Sequence, residues 1–257
     1  IRNVSVGINI CEDVWGEGGR EATAELMISN SPAKAVSQAK KSGAELLVVL
    51  NASPFHVGKD GLRKKVIASQ SLGHSMPIVF CNLVGGQDEL VFDGGSFACD
   101  DRGNISTQMP FFLESSGVMS FSHGKISSDF HHKPLDPDRT MYDALVLGVR
   151  DYVKKNNFPG VLIGLSGGID SALTLAIAND ALGADRVKTV MMPSQFTASM
   201  SRDDATEMAN LLGVSHSEVA IEPIFKAFMM GLSDEFLNTE SDTTEENLQS
   251  RIRGTLL

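Results

Sequence analysis

Between an aliphatic run, Val161-Leu162-Ile163, and an alanine-rich segment lies 164-GLSGGIDSA-172, in which three glycines, two serines and an aspartate share nine residues. A buried strand feeding a helix through a glycine turn commits the chain around it to a parallel sheet with crossover helices. The flanking patterns agree. Met141, Leu145, Val149, Tyr152 and Val153 mark one helical face ahead of a strand at 161–163, and a helix at 171–182, a strand at 187–192 and a helix at 202–212 follow. Ser201 with Asp204, and Thr243 with Glu246, have the spacing of helix-start boxes.

A turn of this composition suits an anion. Ligands of a parallel sheet sit beyond the carboxyl ends of its strands, and a helix start offers unpaired N–H groups and partial positive charge. Glycine lets the backbone approach closely, while Ser166 and Ser171 add hydroxyl donors. Asp170 opposes phosphate unless a divalent cation, Mg2+ by preference, bridges the two. A Walker loop requires a lysine that this turn lacks, and the glycine spacing is not that of a dinucleotide fingerprint. A merely tight turn accounts for one or two glycines but not for the serines and aspartate.

The first half also reads as α/β: strands at 4–10, 46–50 and 78–80, with a helix from Pro32 to Lys41. The Gly-rich polar stretch 16–31 reads as a surface insertion, and the pairs Gly85-Gly86 and Gly94-Gly95 punctuate a hairpin-like segment. Residues 123–138, with two prolines and few apolar side chains, read as a linker between a unit at 1–122 and one at 139–257. The net charge of −10 disfavours a nucleic-acid binder. Three scattered cysteines give no disulfide framework or metal spacing, and neither a membrane-length apolar run nor a signal peptide is seen, so a reducing, cytoplasmic setting is expected. The chain enters a strand at once without a Met, and the stripe Leu248, Ile252, Leu256 still runs at its end, as expected for the middle of a longer polypeptide.

Cys11, directly after the first strand in 8-INICEDVW-15, stands where a side chain can be presented into a cleft. A free thiol is mostly protonated at neutral pH and needs a base or positive neighbours to attack; Glu12 and Asp13 supply neither. On its own residues, Cys11 is equally a packing side chain or a nucleophile.

Two resemblances bear on these motifs. S-G-G-I-D-S resembles the pyrophosphate loop of the ATP pyrophosphatases, and 191-MMPSQFTASMSRDDATEMANLLGV-214 with 245-EENLQSRIRGTLL-257 is similar to the NAD synthetase family within them. The resemblance implies that Gly164, Leu165, Ser166, Gly167, Gly168, Ile169, Asp170 and Ser171 cradle ATP, with Mg2+ at Asp170. It further implies that Asn247 and Arg251, four apart on one helix face, reach deamido-NAD. C-E-D-V-W after V-G-I-N-I resembles the nucleophile turn of nitrilase-type amidases, a domain that precedes the ATP-using one in glutamine-dependent NAD synthetases. Cys11 then matches the nucleophile, and Ser53 and Lys59 the residues that hold the amino and carboxylate groups of glutamine. The glutamate and lysine partners of the nucleophile are expected in segments before residue 1.

The implied fold is a partial nitrilase-like αββα sandwich followed by a Rossmann-like parallel-sheet ATP pyrophosphatase domain. The implied reaction is synthesis of NAD from deamido-NAD, ATP and glutamine-derived ammonia, in a homo-oligomer that binds neither nucleic acid nor membrane. Another glutamine-fed ATP pyrophosphatase, or a synthetase using free ammonia beside a non-catalytic amidase-like scaffold, are the alternatives. The stretch 85–97 is expected to shape the substrate pocket or ammonia exit. Of the rest, Arg63, Lys64 and Lys65 read as a solvated basic face, Cys81 and Cys99 as packing, His131 and His132 as linker residues, and Met191, Met192, Met229 and Met230 as core.

Overall fold

The computed structural model describes residues 3–15, 34–236 and 243–257, and of Glu12 the backbone only; the expected insertion at 16–31 lies outside the described residues. The chain divides into two compact units, Ile1–Asp151 and Tyr152–Leu257.

The first unit is built on a five-stranded sheet of order β1-β2-β3-β6-β7, with β1 Val6–Ile10, β2 Leu46–Asn51, β3 Ile78–Asn82, β6 Phe97–Cys99 and β7 Ile105–Gln108. The strands β1, β2 and β3 pair in parallel, β6 and β7 antiparallel. Helix α1, Lys34–Lys41, precedes β2, and α2, Lys59–His74, joins β2 to β3, as parallel neighbours require. One sheet face and these helices enclose a core of Val36, Leu47, Val49, Ile67, Ile78, Phe80, Phe97 and Cys99, with Phe80 stacked on Phe97 at 5.1 Å. On the opposite face of β1 and β2, Ile8 (66 %), Ile10 (64 %) and Leu50 (48 %) are exposed, so the apolar alternation that marks β1 in the sequence does not line the core. The buried residue of that strand is Asn9.

The hairpin lies where the glycine pairs place it, as β4 Val84–Gln87 and β5 Leu90–Asp93. The stretch expected as a linker is not free chain. It carries β9, Lys125–Ser127, paired with β8, Ser120–Ser122, and Ile126 packs on Val79 and Ala98 beneath it. Residues Phe130 and His132 then bracket Gln108 through backbone hydrogen bonds of 2.8 and 3.1 Å.

Helix α3, Pro137–Lys155, spans the division between the units. Its buried face differs in part from the expected one: Val153 is buried as expected and Val149 is half-buried, but Met141, Leu145 and Tyr152 are exposed, whereas Ala144 and Leu147 pack on Phe112, Val84 and Val91. Small residues decide this. A Cβ on Gly86 would stand 3.2 Å from the Gly148 Cα, and the Gly86 N–H reaches Asp151 Oδ2 at 2.8 Å, an approach that larger side chains would block.

The second unit is a parallel sheet of order β10-β11-β12, with β10 Val161–Gly164, β11 Val187–Met191 and β12 Ser215–Glu218. Helices α4, Ile169–Leu182, and α5, Ser199–Leu211, pack on it through Leu175, Ala178, Ala205 and Ala209. Short α6, Glu222–Gly231, and α7, Thr243–Leu256, complete the unit around Val190, Met192, Ile221 and Ile252. Ser201 and Asp204 form no start box. Helix α5 already begins at Ser199, and its N-cap is Ala198 without a side-chain bond. Met230, expected in the core, is 77 % exposed. No helix among the described residues is long and apolar enough to cross a membrane.

Leu175 is fully buried at the centre of the second core. Leu175→Ala is expected to lower stability by about 2–5 kcal/mol, read from the midpoint of urea unfolding.

Candidate functional site

Parallel pairing brings the carboxyl ends of β1, β2 and β3 to one edge: Ile10 lies opposite Leu50, and Asn51 opposite Asn82. Cys11 follows β1 there, at the start of a short 3-10 turn, Cys11–Val14. Its φ of 51° is left-handed, a conformation costly for a side chain with a Cβ and concentrated at functional turns. Asp13 closes the turn by accepting the Ile10 N–H through Oδ2 at 2.9 Å. The thiol is partly exposed rather than walled into the core.

Ser53 and Lys59 flank the loop after β2, and Lys59 opens α2. Burial, followed by the Arg63 guanidinium, pulls the Lys59 ammonium below the usual lysine value; Asp93 and the Cys11 sulfur oppose this. The sulfur is the smallest of these influences, which sets Cys11 within electrostatic reach of Lys59.

Arg63 corrects the expectation of a solvated basic face. It is 1 % exposed, one helical turn beyond Lys59. One guanidinium nitrogen donates to both Asp93 oxygens at 2.8 Å, Nε donates to Ser53 Oγ at 3.1 Å, and the other nitrogen to the Ser53 carbonyl at 3.0 Å. Asn82 completes the cluster: its Oδ1 accepts the Ser53 N–H at 3.0 Å, and its Nδ2 donates to Asp93 Oδ1 at 3.3 Å and to the Gly94 carbonyl at 3.1 Å. Lys64, by contrast, pairs with Asp60 at 2.7 Å near the surface. The sequence reading named neither Arg63 nor Asp93 as a residue of this corner; the hints were an arginine four residues after Lys59 on one helix face and the expectation that 85–97, which contains Asp93, shapes the pocket. Cys99 is buried, and burial pushes its thiol up to about 11; burial also raises the Cys81 thiol.

In the second unit the glycine turn opens onto solvent. Leu165 anchors it, buried, with its N–H on the Val190 carbonyl at 2.9 Å. Gly167, at φ 81°, lies so close to the Ser201 backbone that a Cβ there would collide with the Ser201 carbonyl. Gly168 then leads into α4, whose first N–H groups no side chain caps. Ser166 and Ser171 hold the loop from within: their hydroxyls are 3.1 Å apart, Ser171 Oγ donates to the Gly168 carbonyl at 2.9 Å, and the Gly168 N–H reaches Ser166 Oγ at 3.3 Å. Ile169 and Asp170 stand exposed at the rim. The result is an exposed, uncapped helix start flanked by two hydroxyls, the kind of place that suits an anion.

Asn247 and Arg251 line a different hollow, about 180 Å3, with Met229, Leu232, Phe236 and Leu248 between α6 and α7, and no residue of the glycine turn lines it. The other end of α7 returns to the sheet edge instead. Arg253 Nε donates to the Met192 carbonyl at 3.0 Å, and Leu257 lies against Gly164. Arg253, two residues beyond Arg251, is thus a site-edge residue that the sequence reading passed over.

A family model for NAD synthase matches residues 141–257. The chain is 43 % identical to the glutamine-dependent NAD(+) synthetase of Acinetobacter baylyi over 98 % of its own length, and 36 % identical to that of Thermotoga maritima over all of it. Over nearly its whole length the chain is a homologue of the glutamine-dependent NAD(+) synthetases. It spans 44 % and 48 % of those two relatives. Among solved structures, the synthetase of Acinetobacter baumannii in complex with ADP superposes with a TM-score of 0.87 at 41 % identity, over 98 % of this chain and 45 % of that one. The synthetase of Cytophaga hutchinsonii shares the fold, with a TM-score of 0.68 at 16 % identity.

Two outcomes are expected for this chain. Iodoacetamide at neutral pH should label Cys11 well before Cys99, read by peptide mass spectrometry, because the Cys11 thiol is partly exposed and that of Cys99 is buried. Arg63→Met, which strands the Asp93 carboxylate in the interior, should cost about 3–5 kcal/mol in urea unfolding.

Proposed function

We propose that the chain carries the two sites of a glutamine-dependent NAD synthesis, an amide-cleaving site at Cys11 and an ATP site at the turn 164–171. The observation that carries the reading is Cys11 itself: a partly exposed thiol on a left-handed backbone at the carboxyl edge of parallel strands, in a chain related over nearly its full length to enzymes of that name.

In this reading the Cys11 sulfur attacks the glutamine side-chain carbonyl, the C–N bond breaks, and ammonia leaves from a γ-glutamyl thioester. Water then releases glutamate and restores the thiol. Lys59 and Ser53 hold the α-substituents of glutamine, so that the reacting carbonyl is fixed over the sulfur. At the second site the turn formed by Gly164, Leu165, Ser166, Gly167, Gly168, Ile169 and Ser171 cradles the ATP phosphates; Leu165, whose N–H is held by the Val190 carbonyl, anchors the turn rather than touching phosphate. The nicotinate carboxylate of deamido-NAD attacks the α-phosphorus and pyrophosphate departs. Ammonia attacks the resulting acyl-adenylate and AMP departs. Activation is required because a carboxylate is a poor electrophile and hydroxide a poor leaving group. Asn247 and Arg251 are assigned to deamido-NAD.

The donor set fits a shared Mg2+. Asp170 is a single exposed carboxylate at that helix start, and among the described residues no cluster of His, Cys, Asp and Glu could hold a metal alone. That is the coordination Mg2+ favours, one carboxylate with phosphate oxygens and water. Bound there, the ion would neutralise phosphate charge; the chain's own part is to hold the phosphates and Asp170 in register.

We assign residues 1–122 to the amidase-type domain, 123–138 to the connection and 139–257 to the synthetase domain. The exposed apolar face of β1 and β2, Ile8, Ile10 and Leu50, is then where the other layer of an αββα sandwich packs. Assembly into a homo-oligomer and a cytoplasmic setting belong to the same reading.

In the whole protein, Cys11→Ala should reduce glutamine-supported NAD synthesis at least about 1000-fold while ammonium still supports it, since free ammonia bypasses the thioester. Equal use of glutamine by the variant and the wild type would rule out Cys11 as nucleophile. Pyrophosphate release without deamido-NAD would instead favour a different acceptor.

A further inference from the structure

We propose that Arg253 is a positioning residue that fixes the helix of Asn247 and Arg251 against the mouth of the glycine turn, and so sets the spacing between the two substrates of the second unit. The proposal rests on the reading of that unit given above and goes further by assigning what holds its two halves in register.

The ladder between β10 and β11 ends with one acceptor left over. Gly164 pairs with Val190, and the Leu165 N–H reaches the Val190 carbonyl at 2.9 Å. Carbonyls facing one neighbour recur every second residue along a strand, so the next to face β10 is that of Met192. Its donor in a continued strand would be the Gly167 N–H. The chain instead leaves the sheet here, with Gly167 at φ 81° against the Ser201 backbone. Toward β12 the alternation persists with backbone donors: the Val219 N–H takes the Met191 carbonyl at 2.8 Å, and the Ile221 N–H takes that of Pro193 at 3.1 Å. Arg253 serves the carbonyl between them, its Nε donating to Met192 at 3.0 Å. A side chain of α7 thus stands in for the strand residue that the glycine turn withdrew.

That bond gives α7 a register which packing alone does not. Leu248 and Ile252 pack with Val190, Met192 and Ile221, but apolar burial is non-directional. A hydrogen bond to a carbonyl of the central strand is directional. Leu257, one turn beyond Arg253, lies against Gly164. Asn247 stands about 9 Å back along the axis from Arg253, and Arg251 about 3 Å, at 1.5 Å per residue. Both line the hollow shared with α6. The helix therefore measures the distance from that hollow to the turn. The turn has its own bracing, from Ser166, Ser171 and the Ser201 backbone.

The test uses the whole protein and NAD synthesis supported by ammonium, which leaves Cys11 out of the assay. Two variants separate the hydrogen bond from the charge. Arg253→Met keeps the length and loses the donor. Arg253→Gln keeps an N–H at the place of Nε and loses the charge. In Arg253→Met the KM for deamido-NAD should rise about 10-fold or more, while the KM for ATP changes less than about 3-fold. In Arg253→Gln both should stay within about 3-fold of the wild type. A merely structural loss would lower the amount of active protein, and kcat with it, and leave both KM values unmoved; that result overturns the proposal. So does a KM for ATP that rises as far as that for deamido-NAD. A Gln variant as impaired as the Met variant overturns it too, by marking Arg253 as a charge that meets an anionic substrate. A wild type that makes no NAD from ammonium, ATP and deamido-NAD removes the underlying reading and the proposal with it. Should Arg253→Met fail to fold, Arg253→Gln decides: a KM for deamido-NAD within about 3-fold of the wild type supports the proposal, and a greater rise overturns it.

Discussion

Parallel strand pairing is the constraint from which the rest follows. A strand that must lie parallel to its predecessor cannot be joined to it by a tight turn, so each connection becomes a crossover, usually helical. Every carboxyl end then falls on the same edge. In the first unit that edge gathers Cys11, Ser53 and Asn82 from three strands and their sequels. In the second it gathers Gly164 and Met192, with Arg253 closing on the latter from α7. Neither assembly needs its residues to be near in sequence.

The two sites use opposite means to the same rigidity. Around Ser53 the device is a buried ion pair, with Arg63 and Asp93 saturating each other and the loop. Burying such charges carries a desolvation penalty, so the pair is weak evidence for stability and better evidence for a required geometry. Around the glycine turn no charge is buried. Missing side chains let Gly167 press against the Ser201 backbone, and two serines brace the loop. One site is held by what was added, the other by what was left out.

How much of this was legible in the sequence depended on the range of each signal. The glycine turn was plain because its chemistry lies within nine consecutive residues. Parallel α/β architecture followed from aliphatic runs alternating with helical patterns. Arg63 was misread because its burial is decided by Asp93, thirty residues downstream, and no local pattern carries that pairing. The face of α3 was read only in part: Val153 is buried as its spacing demanded, but toward the hairpin the packing rests on Leu147 with the small Ala144 and Gly148, while Met141 and Leu145 face outward. Strand β12, Ser-His-Ser-Glu, has no apolar stripe at all and is a strand only because β11 offers it a parallel edge. Asn247 and Arg251 share a helix face as their spacing demanded, yet the nearer approach to the glycine turn belongs to Arg253 and Leu257.

The crossovers also bear on how the molecule comes together in time. Val6 pairs with Leu46, and Leu47 with Ile78, so each pairing closes a loop of roughly thirty to forty residues, whereas the hairpin of Val84 and Asp93 closes almost at once. High contact order of that kind delays the parallel layer relative to the hairpins. Cys11, Ser53 and Asn82 meet only when that layer is complete. The reactive corner is therefore among the last places to form, and Cys11 lacks its native neighbours until the slowest contacts are made.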